Sequence, residues 1–134
     1  MSSPSIVVGF VDSPTGRAAL DRAIEEARIR EARLIVVHSM KGGSETPTDE
    51  YTKYTRLLEQ VESRLEDEGI PHDVHRLVRG LEPAEDISRM AEEADAELIA
   101  IGYKRRSPAG KAFLGSDAQG VLMLAPCPVL AVRV

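Results

Sequence analysis

"SIVVGFV" (5–11) is an unbroken apolar run, rich in β-branched residues, that stops at Asp12-Ser13-Pro14. A strand with one wet face alternates apolar and polar side chains. A continuous run therefore reads as a strand covered on both faces, here meeting a turn. The period then changes. Leu20, Ala23, Ile24 and Ala27 fall at i, i+3, i+4 and i+7, which predicts a helix over about 15–31.

The same alternation repeats along the chain. "RLIVVHS" (33–39) is a second strand, and "MKGGSETPTD" (40–49) is a Gly/Ser/Thr/Pro-rich surface loop. Tyr54, Leu57, Leu58, Val61 and Leu65 form a helical stripe that stops at Gly69-Ile70-Pro71. "HDVHRLV" (72–78) is polar enough for an edge strand. Pro83 opens a third helix with its stripe at Ile87, Met90, Ala91 and Ala94. "ELIAIG" (97–102) is an interior strand. Ser116 is expected to cap a helix over about 116–125, and "VLAVRV" (129–134) is the last strand.

The order βαβαβαβαβ with doubly buried strands predicts an α/β fold: a parallel sheet, helices on both faces, right-handed crossovers. With 134 residues and no internal repeat, 1–134 is expected to form a single domain. Its longest apolar runs are far short of the ~20 residues a membrane span needs. "MSSPSIVVGF" lacks the basic start of a signal peptide, and the single Cys127 fits a reducing compartment, so a cytoplasmic location is expected. A net charge of -5 argues against general nucleic-acid binding.

One stretch opposes that acidity. "IGYKRRSPAGKAFLGSD" (101–117) gathers Lys104, Arg105, Arg106 and Lys111, which leaves -9 on the rest of the chain. It connects the fourth strand to the last helix, at the strand ends where open parallel sheets bind ligands. Gly102, Gly110 and Gly115 are expected to turn the backbone with positive φ and let a ligand approach. Free N–H groups at the helix start by Ser116 add a positive dipole end. These features suit a polyphosphate as well as they suit a solvated basic loop. Walker-type binding does not fit: Gly110-Lys111 is followed by Ala112, and position 105 is Arg. No G-x-G-x-x-G follows the first strand either.

The C-terminal stretch, "IGYKRRSPAGKAFLGSDAQGVLMLAPCPVLAVRV" (101–134), resembles the signature of the universal stress protein (UspA) family. That signature runs Gly, two residues, Gly, nine residues, Gly, Ser/Thr, then a helix, "APCPVL" and a final strand. Gly102 and Gly115-Ser116 match with the spacing intact. "GLEPAEDI" (80–87) and "ADAELIAIG" (94–102) are also similar to the family's pattern. The resemblance covers the whole chain. It implies a single Rossmann-like (adenine nucleotide alpha hydrolase-like) domain, its five-stranded parallel sheet in order 3-2-1-4-5. It implies ATP or AMP as ligand, with Mg2+ where the ligand is ATP, and a homodimer through strand 129–133.

Carried over position by position, the cofactor-binding residues are Val11, Asp12, Val37, Gly102, Lys104, Arg105, Lys111, Gly115 and Ser116. Two of these depart from the pattern. Arg105 stands where the family has its second glycine. Val11 stands where members that bind ATP carry an Asp, with Asp12 one place later.

Other polar residues carry less. His72 and His75 face opposite sides of a strand and have no carboxylate or cysteine cluster beside them in sequence, so no metal site is expected. His38 ends the second strand and is read as bonded to backbone. Cys127 is read as a small buried hydrophobe. Glu25, Glu26, Glu59, Glu62, Glu66 and Asp67 are read as a solvated helical face. Neither a Ser–His–Asp arrangement nor a carboxylate pair can be assembled, so nothing argues for an enzyme beyond weak ATP hydrolysis. The expected function is an adenine-nucleotide-binding regulatory module of the stress response. The alternative is an interaction module of the same fold that binds no nucleotide. A receiver domain is set aside because strand 3 ends in Val78-Arg79-Gly80 rather than in a phosphorylatable Asp.

Overall fold

In the computed structural model, which describes residues 4–104 and 114–134, nine main elements alternate without exception. They are β1 (Ser5–Gly9), α1 (Pro14–Arg30), β2 (Arg33–Met40), α2 (Thr48–Asp67), β3 (His72–Val78), α3 (Pro83–Glu93), β4 (Leu98–Tyr103), α4 (Ser116–Leu124) and β5 (Val129–Arg133). A single 3-10 turn, Gly43–Glu45, interrupts the loop after β2. The five strands are parallel in the order β3-β2-β1-β4-β5.

The strands' continuous apolar character has a simple cause. Val7 sits between Ile35 and Ile99 in register, and alternate side chains go to opposite layers. Ile6, Val8, Leu34 and Val36 pack with Leu20, Ile24, Leu58 and Leu65 beneath α1 and α2. Val7, Ile35, Val37, Ile99 and Ile101 pack with Ile87, Ala91 and Val121 beneath α3 and α4. Each central strand thus feeds two cores, which is why its apolar residues run on without alternation.

The termini of the elements are chemically specified. Ser13 caps α1, its Oγ accepting from Gly16 N at 3.1 Å, and Pro14 takes the first helical position, where no N–H is missed. Glu31 ends α1 in the left-handed region, φ 53°. β1 stops at Gly9, two residues before the predicted end. Phe10 still donates to the Val37 carbonyl, but the Ser13 N–H then turns back onto Val11 O and lifts the chain off the sheet.

Two expectations about backbone are corrected. Ser116 does not cap α4: Gly115 holds the cap position with no side-chain bond, and Ser116 is already helical. Gly102 and Gly115 do not have positive φ. Gly115 lies at φ -60°, and the positive-φ glycines of the described residues are Gly42, Gly43, Gly69 and Gly80. Gly102 is required for proximity instead. A Cβ there would lie 2.1 Å from the carbonyl oxygen of Thr15. β4 and the start of α1 approach so closely that only a hydrogen fits between them.

Candidate functional site

Between β1 and β4 the sheet's winding reverses, and a cleft of about 480 Å³ opens above the carboxyl ends of these strands. Its floor is Gly9, Phe10 and Val11 from β1 and the turn after it, with Ile101 and Gly102 from β4. Val37 and Ser39 of β2 form one side, Pro83 and Ile87 of α3 another. Thr15 and Gly16 approach from α1, and Gly115, Ser116, Asp117 and Ala118 bring the start of α4 to the rim beside Lys104. The inner part is apolar and the rim is polar.

Of the residues expected from the sequence, Val11, Val37, Gly102, Lys104, Gly115 and Ser116 line this cleft together. Asp12 is not on its wall. Its carboxylate is held by Arg17 and Lys53, and its N–H donates to the Tyr54 hydroxyl at 3.0 Å. Those two cations hold the carboxyl of Asp12 below the usual carboxylate range. Arg105 and Lys111, together with Gly110, lie outside the described residues.

The cap geometry of α4 bears on what the rim can hold. The first N–H groups of a helix have no partner within it, and among the described residues no side chain caps them. They meet the cleft at Gly115–Ala118, with the positive end of the helix dipole. Among the described residues a Cβ built on Gly115 meets nothing within 4 Å.

Sequence reasoning missed a buried polar network behind the wall. Asp86, in the first turn of α3, is fully buried; it accepts from Arg79 Nε at 2.9 Å and is ion-paired with Arg79 Nη2 at 2.8 Å. It also accepts the hydroxyl proton of Ser39. With that proton committed, Ser39 offers the cleft only lone pairs. The signal was faint, because Asp86 follows Glu85 in a stretch that reads as an ordinary acidic helix start.

Asp117 was missed as well. It sits on α4's first turn at the cleft rim, and burial together with Glu82 pushes its carboxyl above the usual range.

Several lesser candidates are placed. His38 is buried on the α2 side of the sheet; its Nδ1–H donates to Phe10 O at 2.8 Å and its ring stacks on Tyr54 at 3.6 Å. The backbone-bonded reading of His38 is what the geometry gives, and burial lowers its pKa. The thiol of Cys127 is pushed up by burial, away from thiolate chemistry. Glu26 is not part of a solvated face: it is buried and bridged by Arg22 and Arg30. His72 does have carboxylates beside it, because α2 brings Glu62 and Glu66 to within 4.8 Å of it, both open to solvent.

A five-stranded parallel sheet with its cleft at the switch point defines a Rossmann-like α/β protein. The comparisons with known proteins specify it further. The model of the universal stress protein family matches residues 4–133. A universal stress protein of Mycolicibacterium smegmatis is 38% identical over 128 residues, covering 96% of either chain. The structure of a universal stress protein from Archaeoglobus fulgidus superposes with a TM-score of 0.86 at 37% identity, over 98% of this chain and 99% of that one. A second structure from that organism, a universal stress protein in complex with dAMP, has a TM-score of 0.76 at 34% identity, over 98% of both chains. This chain belongs to the universal stress protein family.

Proposed function

We propose that the protein is a cytoplasmic stress-response regulatory module that binds AMP or ATP in the cleft between β1 and β4 and acts as a homodimer. The observation that carries this reading is the meeting, in one cleft, of an apolar slot with a helix start whose cap position is a glycine. A purine has a place against Val37, Ile87 and Ile101, and phosphate has a place at the N–H groups of Gly115–Ala118. The A. fulgidus relative described with dAMP supports the choice of nucleotide. Mg2+ would accompany ATP, and Asp117 is the carboxylate on the described wall able to meet it. No pair of groups on that wall supplies a base and an activated nucleophile, so binding rather than turnover is the expected activity. No helix among the described residues is long and apolar enough to cross a membrane.

Calorimetry on dialysed protein tests the reading. AMP or ATP should bind, and Gly115→Val should abolish binding while lowering the melting temperature by only a few degrees, the scale of replacing an N-cap glycine, since the Cβ it adds meets nothing within 4 Å among the described residues. Absence of heat with both nucleotides would overturn the proposal. The rival, an interaction module without nucleotide, draws on Val11 and on the engagement of Asp12 elsewhere. It predicts that the purified protein carries no nucleotide absorbance and gains no stability with either ligand.

The dimer rests on β5. Pro128 O and Val134 N both bond toward β4, so by alternation the backbone groups of Val129, Ala131 and Arg133 point away from the sheet. That edge can accept the same edge of a second copy. Ala131→Pro removes an outward N–H without touching the β4 ladder. Sedimentation equilibrium should find the wild type dimeric and this variant monomeric with unchanged circular dichroism. A wild type monomeric at all concentrations would sink the interface.

A further inference from the structure

The described part of the cleft wall carries two charged side chains, Lys104 and Asp117. Asp117 occupies the first turn of α4, next to the N–H groups of Gly115–Ala118. A carboxylate in that position is itself favoured by the helix dipole, so it competes with a bound anion for the same field. Among the described residues little neutralises it. Glu82, at the start of α3, is near enough to raise its pKa, and Lys41 is already paired with Glu82 at 2.6 Å and lies close to Glu45. Lys104, at the end of β4, is the described cation sharing the wall with it.

Taking as its basis the nucleotide reading above, we propose that Asp117 is a specificity-determining residue that grades ligands by charge, disfavouring a triphosphate more than a monophosphate and leaving the nucleoside unaffected. The physical reason is additive. Each unit of negative charge on the ligand meets the fixed charge of Asp117 at the mouth, and each such encounter is a screened like-charge interaction. The purine slot lies deeper, against Val37, Ile87 and Ile101, beyond the rim where that charge acts.

The test is titration of adenosine, AMP and ATP into wild type and Asp117→Asn in metal-free buffer, where no divalent cation can bridge carboxylate and phosphate. The variant should bind adenosine within twofold of wild type, AMP about threefold tighter and ATP about tenfold tighter, the scale of a few screened unit-charge interactions. These gains should shrink in 0.5 M salt, where the Debye length is on the order of 4 Å. Asp117→Ser, which keeps a short polar side chain at the helix start, should reproduce the order. Equal change for all three ligands, no change, or weaker binding of ATP overturns the inference while the nucleotide reading stands. Failure of every ligand to bind either protein overturns both.

Discussion

Asp86→Ala should lower stability by about 3 kcal/mol, the lower end of the 3–5 kcal/mol typical of breaking a buried pair from one side. The figure is set below the upper end because Arg79 is partly exposed and can regain water once its partner is gone. Asp86 itself has no such escape, being fully buried between Ser39 and Arg79. Its removal leaves the Ser39 hydroxyl without its acceptor and opens a gap at the foot of α3. For a chain of 134 residues the loss corresponds to a fall in Tm of about 10 °C. Asp86→Asn is a graded control: its side-chain oxygen can still accept from Ser39, while the charge facing Arg79 disappears, so the loss should be smaller. Because Ser39 is on the cleft wall, Asp86→Ala should also weaken nucleotide binding, whereas a distant destabilising change should not. Urea melts of the two variants decide the matter. A change below 1 kcal/mol for Asp86→Ala would mean that the network contributes nothing net, as buried ion pairs sometimes do.

How far the sequence could be read depended on the range of the forces involved. β2, β3 and β4 were legible to within a residue because burial on both faces or on an edge writes itself into neighbouring positions. The lining of the cleft was legible at Val37, Gly102, Gly115 and Ser116 because they fall at or near strand ends and in the resemblance. Asp86 was not, since its partners Arg79 and Ser39 are 7 and 47 residues away and only folding shows that its side chain is buried. The same limit hid Glu26, whose bridging arginines are visible at helical spacing while its burial is not. Asp12 illustrates a different failure. On a strand a one-residue shift of the family's Asp already turns the side chain to the other face, and here β1 has ended before it, in a turn where Arg17 and Lys53 hold it. The glycines misled for a third reason. Permissive φ is what glycine is known for, yet Gly102 is there because of an atom on another element.

That atom makes the second large effect. In Gly102→Ala a methyl group would be placed 2.1 Å from Thr15 O and 2.7 Å from Thr15 C, both main-chain atoms that no rotamer change can move. Ordinary contact needs well over 3 Å, so β4 and the first turn of α1 must separate by more than an ångström. β4 is fixed on both sides, by β1 and by β5, and α1 is fixed by its Ser13 cap and its packing on β1. The separation therefore spreads into the core, and the cost should reach about 3 kcal/mol, the upper end for overpacking a well-packed site. Gly115→Ala is the matched comparison, because its methyl meets open space and its φ of -60° suits any residue. Denaturant melts should therefore show a large loss for the first alanine and almost none for the second, though both glycines belong to one motif. The separation also moves Thr15 and Gly16 against the cleft, so Gly102→Ala should lose nucleotide affinity even at temperatures where it remains folded. Equal stability for the two variants would mean that β4 and α1 do not approach as closely as the structure has them, and that Gly102 serves the ligand alone.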